Sequence, residues 1–277
     1  MGNCFSPSLK QLNESDKDGA PRFYAIEDNY NSIEEVQKAL RGVGLESSDL
    51  VLGVDFTGSN KMTGKISFGG LSLHDTSAGV TNPYQQVISI VGRTLEAFDD
   101  DKLIPAYGFG DKTTGSSACF PFQQDGSASH GFEEVLERYN AMTPTLHLAG
   151  PTNFAPVIHK TIETVKEERA YHILVIIADG QITHGRCEDE TKRAIVEASK
   201  YPISIVVIGV GDGPWGQMEE FDDELPQRKF DNFQFVPFNK TVNSVPAGRN
   251  VDAAFACAAL MEIPEQYQLI KQLGYLR

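Results

Sequence analysis

Two stretches of this chain are apolar at almost every position over the length of a strand. His172–Ala178 reads HILVIIA and Pro202–Gly209 reads PISIVVIG. A strand with one wet face alternates apolar and polar residues, whereas a run without alternation is covered on both faces. Asp49–Phe56, with its LVLGV run, is a third strand of this kind. Segments of helical period lie among them: Asn82–Asp99, Gly131–Met142, Phe154–Arg169 and Glu188–Lys200, then Val251–Met261 and Pro264–Leu273. In the first of these Val87, Ile90, Val91 and Leu95 share one face. Buried strands between amphipathic helices predict an α/β fold. Its core is a doubly wound, mostly parallel central sheet flanked by helices on both faces.

Further elements fill in the frame. Ser32 followed by Glu35 is a capping-box pattern opening a helix over 32–43, with Val36 and Leu40 as its apolar face. Leu103–Phe109 reads as a second core strand. The Gly-rich stretch Met62–Leu73 suggests a short β-ribbon. Asn232–Phe238 reads as a strand whose Pro237 places it at an edge. Residues 1–21 are polar and read as a flexible leader, leaving 22–277 as one domain.

Charge and cysteines narrow the function classes. Lys and Arg number 24 against 38 Asp and Glu, for a net charge of −14. That balance argues against a nucleic-acid binder, which needs clustered cations. Cys4, Cys119, Cys187 and Cys257 lie far apart with no C-x-x-C pair, which excludes a zinc ribbon or RING within this sequence. Scattered thiols fit a reducing, cytoplasmic setting. Nucleotide binding is not expected either. The stretch after the 202–209 strand has Pro214 where a G-x-G-x-x-G loop needs its third glycine, and Gly64-Lys65 lacks the rest of a P-loop. Of the six histidines, His147, His159 and His172 read as core or surface residues, while His184 stands close enough to Asp179 to line a site. Trp215 reads as a packing or partner-contact residue.

Ligands of parallel sheets bind beyond the carboxyl ends of the strands. There the first strand runs into Asp55-Phe56-Thr57-Gly58-Ser59-Asn60, a D-x-T-x-S pattern. Residues two apart on extended chain face the same way, so one carboxylate and two hydroxyls converge. Such oxygens suit Mg²⁺, Mn²⁺ or Ca²⁺, although Thr57 and Ser59 could equally cap a turn. The strand at 172–178 leads directly into Asp179-Gly180. Thr152, before the next helix, is either its N-cap or a further oxygen ligand. Asp111 follows another strand and is either an outer support of the site or a loop cap, and Asn60 is a second outer residue.

Asp55-x-Thr57-x-Ser59, Thr152 and Asp179-Gly180 resemble the metal-ion-dependent adhesion site of von Willebrand factor A domains. The segments VDFTGSN, AGPTNFAPVI, IADGQIT, IGVGDGPW, RKFDNFQFV and AALMEIPEQY resemble the A domain of copines. They resemble still more the copine-like domain of plant RING ubiquitin ligases, over roughly residues 25–274. The resemblance implies direct coordination by Thr57 and Ser59, and coordination by Thr152 directly or through water. It places Asp55 and Asp179 close by, often acting through water. It also implies an open metal position for the carboxylate of a protein partner. Copines carry C2 domains and the ligases carry a RING, and neither is present in this sequence. Ubiquitin discharge by this chain alone is therefore not expected. Association with ubiquitin ligation as a substrate- or partner-binding component is the alternative. Metal-dependent hydrolysis ranks below both, for want of a clear general base.

The leader carries its own pattern. Met1-Gly2-Asn3-Cys4-Phe5-Ser6 fits N-myristoylation at Gly2, with Cys4 placed for palmitoylation. Two acyl chains anchor stably where one binds marginally. The expectation is a peripheral protein on the inner face of the plasma membrane, tethered by lipid. The alternative is a free terminus in which both residues are coincidental.

Overall fold

The computed structural model describes residues 31–276 except 43, 78 and 226. The leader at 1–21, with Gly2 and Cys4, lies outside the described residues. The first half of the chain comprises α1 (Ile33–Gly42), β1 (Asp49–Asp55), α2 (Pro83–Leu95), β2 (Leu103–Ile104), β3 (Ala106–Phe109), β4 (Cys119–Pro121), β5 (Ser129–His130) and α3 (Gly131–Met142). There follow α4 (Ala155–Glu168), β6 (His172–Ala178), α5 (Arg186–Ala198), β7 (Ile203–Gly209), α6 (Gly216–Glu224), β8 (Phe233–Pro237), α7 (Phe238–Ser244), α8 (Val251–Leu260) and α9 (Ile263–Gln272).

Six strands form one sheet in the order β4-β3-β1-β6-β7-β8. All neighbours are parallel except the antiparallel β3–β4 edge. Strand order reverses between β1 and β6, the place where open α/β sheets leave a crevice at their carboxyl ends. The apolar runs serve both faces. Leu50, Leu52, Ile173, Val175 and Val206 pack under α1, α2, α3, α8 and α9. Their neighbours Val51, Leu174, Ile176, Ile205 and Val207 pack under α4, α5 and α6. This is the doubly wound architecture that the unbroken apolar strands require.

Two expectations need correction, and one open alternative closes. Leu103–Phe109 is not one strand. It breaks at Pro105, which has no N–H to donate, so β2 pairs antiparallel with β5 while β3 joins the main sheet. The Met62–Leu73 stretch forms turns rather than a β-ribbon. Its backbone bonds locally, as Phe68 N–H and Gly70 N–H both donate to Gly64 O. Helix α4 starts at Ala155, whose N–H donates to Asn153 Oδ1, so Thr152 is not its N-cap. The strand before α7 does end at Pro237 and forms the sheet's edge. At α1, Ser32 Oγ accepts from Glu35 N–H, while the Glu35 carboxylate reaches back to Asn31 N–H.

Two glycines test the packing against each other. A Cβ at Gly92 in α2 would enter the Phe132 ring, whereas one at Gly42 meets open space. Gly92→Ala is expected to lose about 1–3 kcal/mol by overpacking, despite a helix-propensity gain of about 1 kcal/mol. Gly42→Ala is expected to be neutral or stabilising. Urea unfolding of the two variants checks this, and equal effects would refute the packing assignment.

Candidate metal-binding edge

Asp55 is the last residue of β1 and Asp179 follows the last residue of β6. Because the two strands pair in parallel with Val54 opposite Ile177, both carboxylates reach the same edge of the sheet. Thr57 and Ser59 come from the turn that leaves β1. That turn is pinned on its far side, where Gly58 N–H donates to Ala149 O at 2.6 Å. A side chain at Gly58 would press on the same carbonyl, and one at Gly110 would strike the Thr57 methyl. The two glycines let three loops close onto one point.

The oxygens form a connected set. Thr57 Oγ1 lies 2.9 Å from Ser59 Oγ, and Ser59 Oγ donates to Asp179 Oδ1 at 3.0 Å. Thr152 Oγ1 lies 3.5 Å from Thr57 Oγ1, which joins the third loop to the first. Asp55 Oδ1 accepts the Thr57 N–H at 2.8 Å. Its other oxygen, Oδ2, is buried and has no hydrogen-bond partner. The expected residues Asp55, Thr57, Ser59, Thr152 and Asp179 are thus brought together, all from strand ends or the loops beside them.

Supporting residues differ in their roles. Asn60 is fully buried and donates to the carbonyls of Asp55 and Thr57, while Tyr84 Oη donates to its Oδ1 at 2.7 Å. Asn60 therefore shapes the backbone of the turn. Asp111 is a loop cap: its carboxylate accepts from the N–H and hydroxyl groups of Thr113 and Thr114. His184 is exposed and pairs with Glu188 at 3.0 Å, so it belongs to the surface of α5. Trp215 packs on Phe235 with ring centroids 5.3 Å apart.

Several residues at this edge carried no usable signal in the sequence. Thr63 Oγ1 lies 2.6 Å from Asp179 Oδ2, from within the stretch expected to form a ribbon. Thr183 brackets Thr152: its hydroxyl accepts the Thr152 N–H and its N–H donates to Thr152 O, each at 3.1 Å. His74 lies stacked between Phe56 and Tyr84. Its Nε2 lies 2.7 Å from Asp55 O, and a carbonyl only accepts, so Nε2 carries the proton. Burial pushes the His74 imidazole down to about 3, so it stays neutral.

Electrostatically the edge is a pair of acids without a base. Burial pushes Asp55 well above the usual carboxylate range, and the Asp179 charge adds to that. Burial also raises Asp179, against the pull of the Thr63 and Ser59 hydroxyls. Among the described residues no Lys or Arg makes an ion pair with either carboxylate. An orphaned Oδ2, a second carboxylate and three hydroxyls are a hard-oxygen donor set, and they fit a divalent cation.

The fold, with these oxygens at its carboxyl edge, is that of a von Willebrand factor A domain. The chain belongs to the copine family, whose model, described as Copine, matches residues 72–277. It is 51% identical over 265 residues to the E3 ubiquitin-protein ligase RGLG1 of Arabidopsis thaliana, covering 92% of this chain and 54% of that protein. Against Copine family protein 2 of Caenorhabditis elegans it is 48% identical over 252 residues, covering 90% of this chain and 3% of that protein. The chain thus spans about half the length of the RGLG1 ligase. Among solved structures, the PilB minor pilin of Streptococcus sanguinis aligns with a TM-score of 0.51 at 12% identity, over 80% of this chain and 62% of that one. At that identity the likeness concerns the fold alone.

The acid pair has a pH signature. Both folded-state pKa values are raised, so the folded chain holds protons that the unfolded chain releases. Stability contributed by these groups is present at low pH and is lost as pH rises through the folded values. In chelator, Asp55→Asn is therefore expected to be more stable than the wild type at pH 7–8. The advantage should shrink toward pH 4. A constant difference across that range, read by urea unfolding, would contradict the assignment.

Proposed function

We propose that this chain is a protein-interaction module that works through a divalent cation at the carboxyl edge of its sheet. Asp55, Thr57, Ser59, Thr152 and Asp179 would hold the ion, which is Mg²⁺, Mn²⁺ or Ca²⁺. The observation that carries the reading is the buried Asp55 Oδ2, left without a donor beside a second buried carboxylate. Leaving such an atom unpaired costs about 1–3 kcal/mol or more. Ser59 donates its one hydroxyl proton to Asp179, so its oxygen accepts from Thr57 and keeps one lone pair for a cation. Asn60 and His74 fix the Asp55 carbonyl, and with it the turn that carries the hydroxyls. Once bound, the ion supplies a positive, incompletely filled position that a partner's Asp or Glu carboxylate completes.

Calorimetric titration with Mg²⁺, Mn²⁺ and Ca²⁺ tests the site. Saturable binding is expected, with at least a tenfold loss in Asp55→Ala and in Asp179→Ala. Partner capture should fall in chelator and in the same variants. Capture indifferent to both would refute the metal-bridged form.

A second reading is a supporting role in ubiquitin ligation, favoured by the relatives named as ubiquitin ligases. In this reading these residues bind the substrate or partner, and a RING outside them carries the chemistry. The protein alone should then give a blank ubiquitination assay, and activity from it would overturn that division of labour.

The N-terminal residues add a proposed tether: myristate on Gly2 and palmitate on Cys4, holding the protein at the inner face of the plasma membrane. Gly2→Ala should move the protein from the membrane fraction to the soluble fraction. An unchanged distribution would remove the lipid from the account.

A further inference from the structure

The opposite end of the sheet carries a second group of acids that the carboxyl-edge site does not use. Strand β1 begins at Asp49 and ends at Asp55, so about 20 Å of extended chain separates the two ends. The chain after α2 returns to this end, where Ser48 N–H donates to Phe98 O at 2.9 Å. That contact brings the run Asp99-Asp100-Asp101 beside the start of β1. One carboxylate oxygen each from Asp49, Asp99 and Asp101 lie within 4.8 Å of one another.

An acidic cluster alone would be an ordinary solvated surface. Asp99 makes this one different, because it is only 4% exposed. Its Oδ1 accepts the Lys102 N–H at 2.9 Å, but its Oδ2 is buried with no hydrogen-bond partner. Asp101 Oδ1 accepts the Leu103 N–H at 2.8 Å. Among the described residues no Lys or Arg forms an ion pair with Asp49, Asp99 or Asp101. The Lys102 ammonium turns instead toward Glu96, at 3.7 Å.

Among the described residues His172 is the one basic side chain paired with these acids, and it faces Glu168 first. Its Nε2 lies 2.8 Å from Glu168 Oε2 and 3.9 Å from Asp49 Oδ2. Its Nδ1 lies 3.1 Å from Ala170 O, so that nitrogen carries a proton. Any charge on His172 is thus shared with Glu168, and the buried Asp99 oxygen stays uncovered.

We infer that Asp49, Asp99 and Asp101 form a second cation site at the amino-terminal edge of the sheet, and that its ion is Ca²⁺. The donors are all oxygens, which selects a hard cation. Two oxygens bound to one Ca²⁺ at 2.3–2.6 Å stand at most about 5 Å apart, and the spacing here falls within that. Mg²⁺ sheds water reluctantly and usually takes one or two carboxylates while keeping several waters, so three converging carboxylates favour Ca²⁺. Water completes an irregular Ca²⁺ shell readily. Such an ion would fasten the loop after α2 to the first residue of β1.

The test is calorimetric titration of the full chain with CaCl₂, together with thermal unfolding at each Ca²⁺ level. The Asp55→Ala background removes the carboxyl-edge site, so the two proposals fail separately. In that background one equivalent of Ca²⁺ should still bind, with Kd of about 10⁻⁴–10⁻³ M. Asp99→Asn keeps the shape and the Lys102 contact and should weaken binding at least tenfold. Asp101→Asn, at an exposed position that tolerates change, should do the same and should abolish the Ca²⁺-induced rise in Tm. Two results would overturn the site. One is no saturable binding in the Asp55→Ala chain up to about 10 mM, ten times the weakest of that range. The other is wild-type binding in folded Asp99→Asn and Asp101→Asn proteins.

Discussion

The parallel pairing of β1 with β6 is the constraint on which the rest depends. Their register sets Val54 against Ile177, so both strands deliver an aspartate to one edge. The strands are adjacent in space but lie more than a hundred residues apart in the chain, and the crossover leaves a crevice at their ends. Nothing local to either aspartate requires it to meet the other. The apolar runs that bury both faces of the sheet hold two carboxylates together that would otherwise repel.

That arrangement costs stability in the cation-free chain. Burial raises the pKa of both acids, the Asp179 charge raises Asp55 further, and one oxygen of Asp55 stays unsatisfied. Strain of this kind persists where surrounding structure over-determines it. Here that structure is the Asn60–Tyr84 bond, the stacked His74 and the close glycine contacts at Gly58 and Gly110. The proposed function and stability pull in opposite directions at Asp55.

Much of the layout was legible in the sequence, for a physical reason. A strand buried on both faces has to be apolar throughout, so β6 and β7 announced themselves and fixed the fold class. The D-x-T-x-S pattern was legible as a cluster of oxygens, although of its two hydroxyl residues only Thr57 lies on extended backbone and Ser59 reaches the site from a 3₁₀ turn over Gly58–Lys61. The 103–109 stretch misled because its apolar pattern continues across Pro105, where the missing donor divides it between two sheets. Thr63 was not legible, since its place beside Asp179 depends on a turn-rich loop without periodicity. Thr152 was ambiguous in sequence, and Asn153 resolves it by supplying the acceptor at the start of α4. The acids at the amino-terminal edge gave no motif, because they come from the start of β1 and the loop after α2.

The central claim is that the unpaired Asp55 oxygen and its neighbours are arranged for a cation. Anomalous diffraction from a crystal of this chain grown with Mn²⁺ tests that claim most directly. The account predicts a manganese peak at the carboxyl edge, within bonding distance of Thr57 Oγ1 and Ser59 Oγ or bridged to Asp55 and Asp179 by water. A structure from saturating Mn²⁺ with no peak there, and with Asp55 and Asp179 sharing a proton instead, would contradict it.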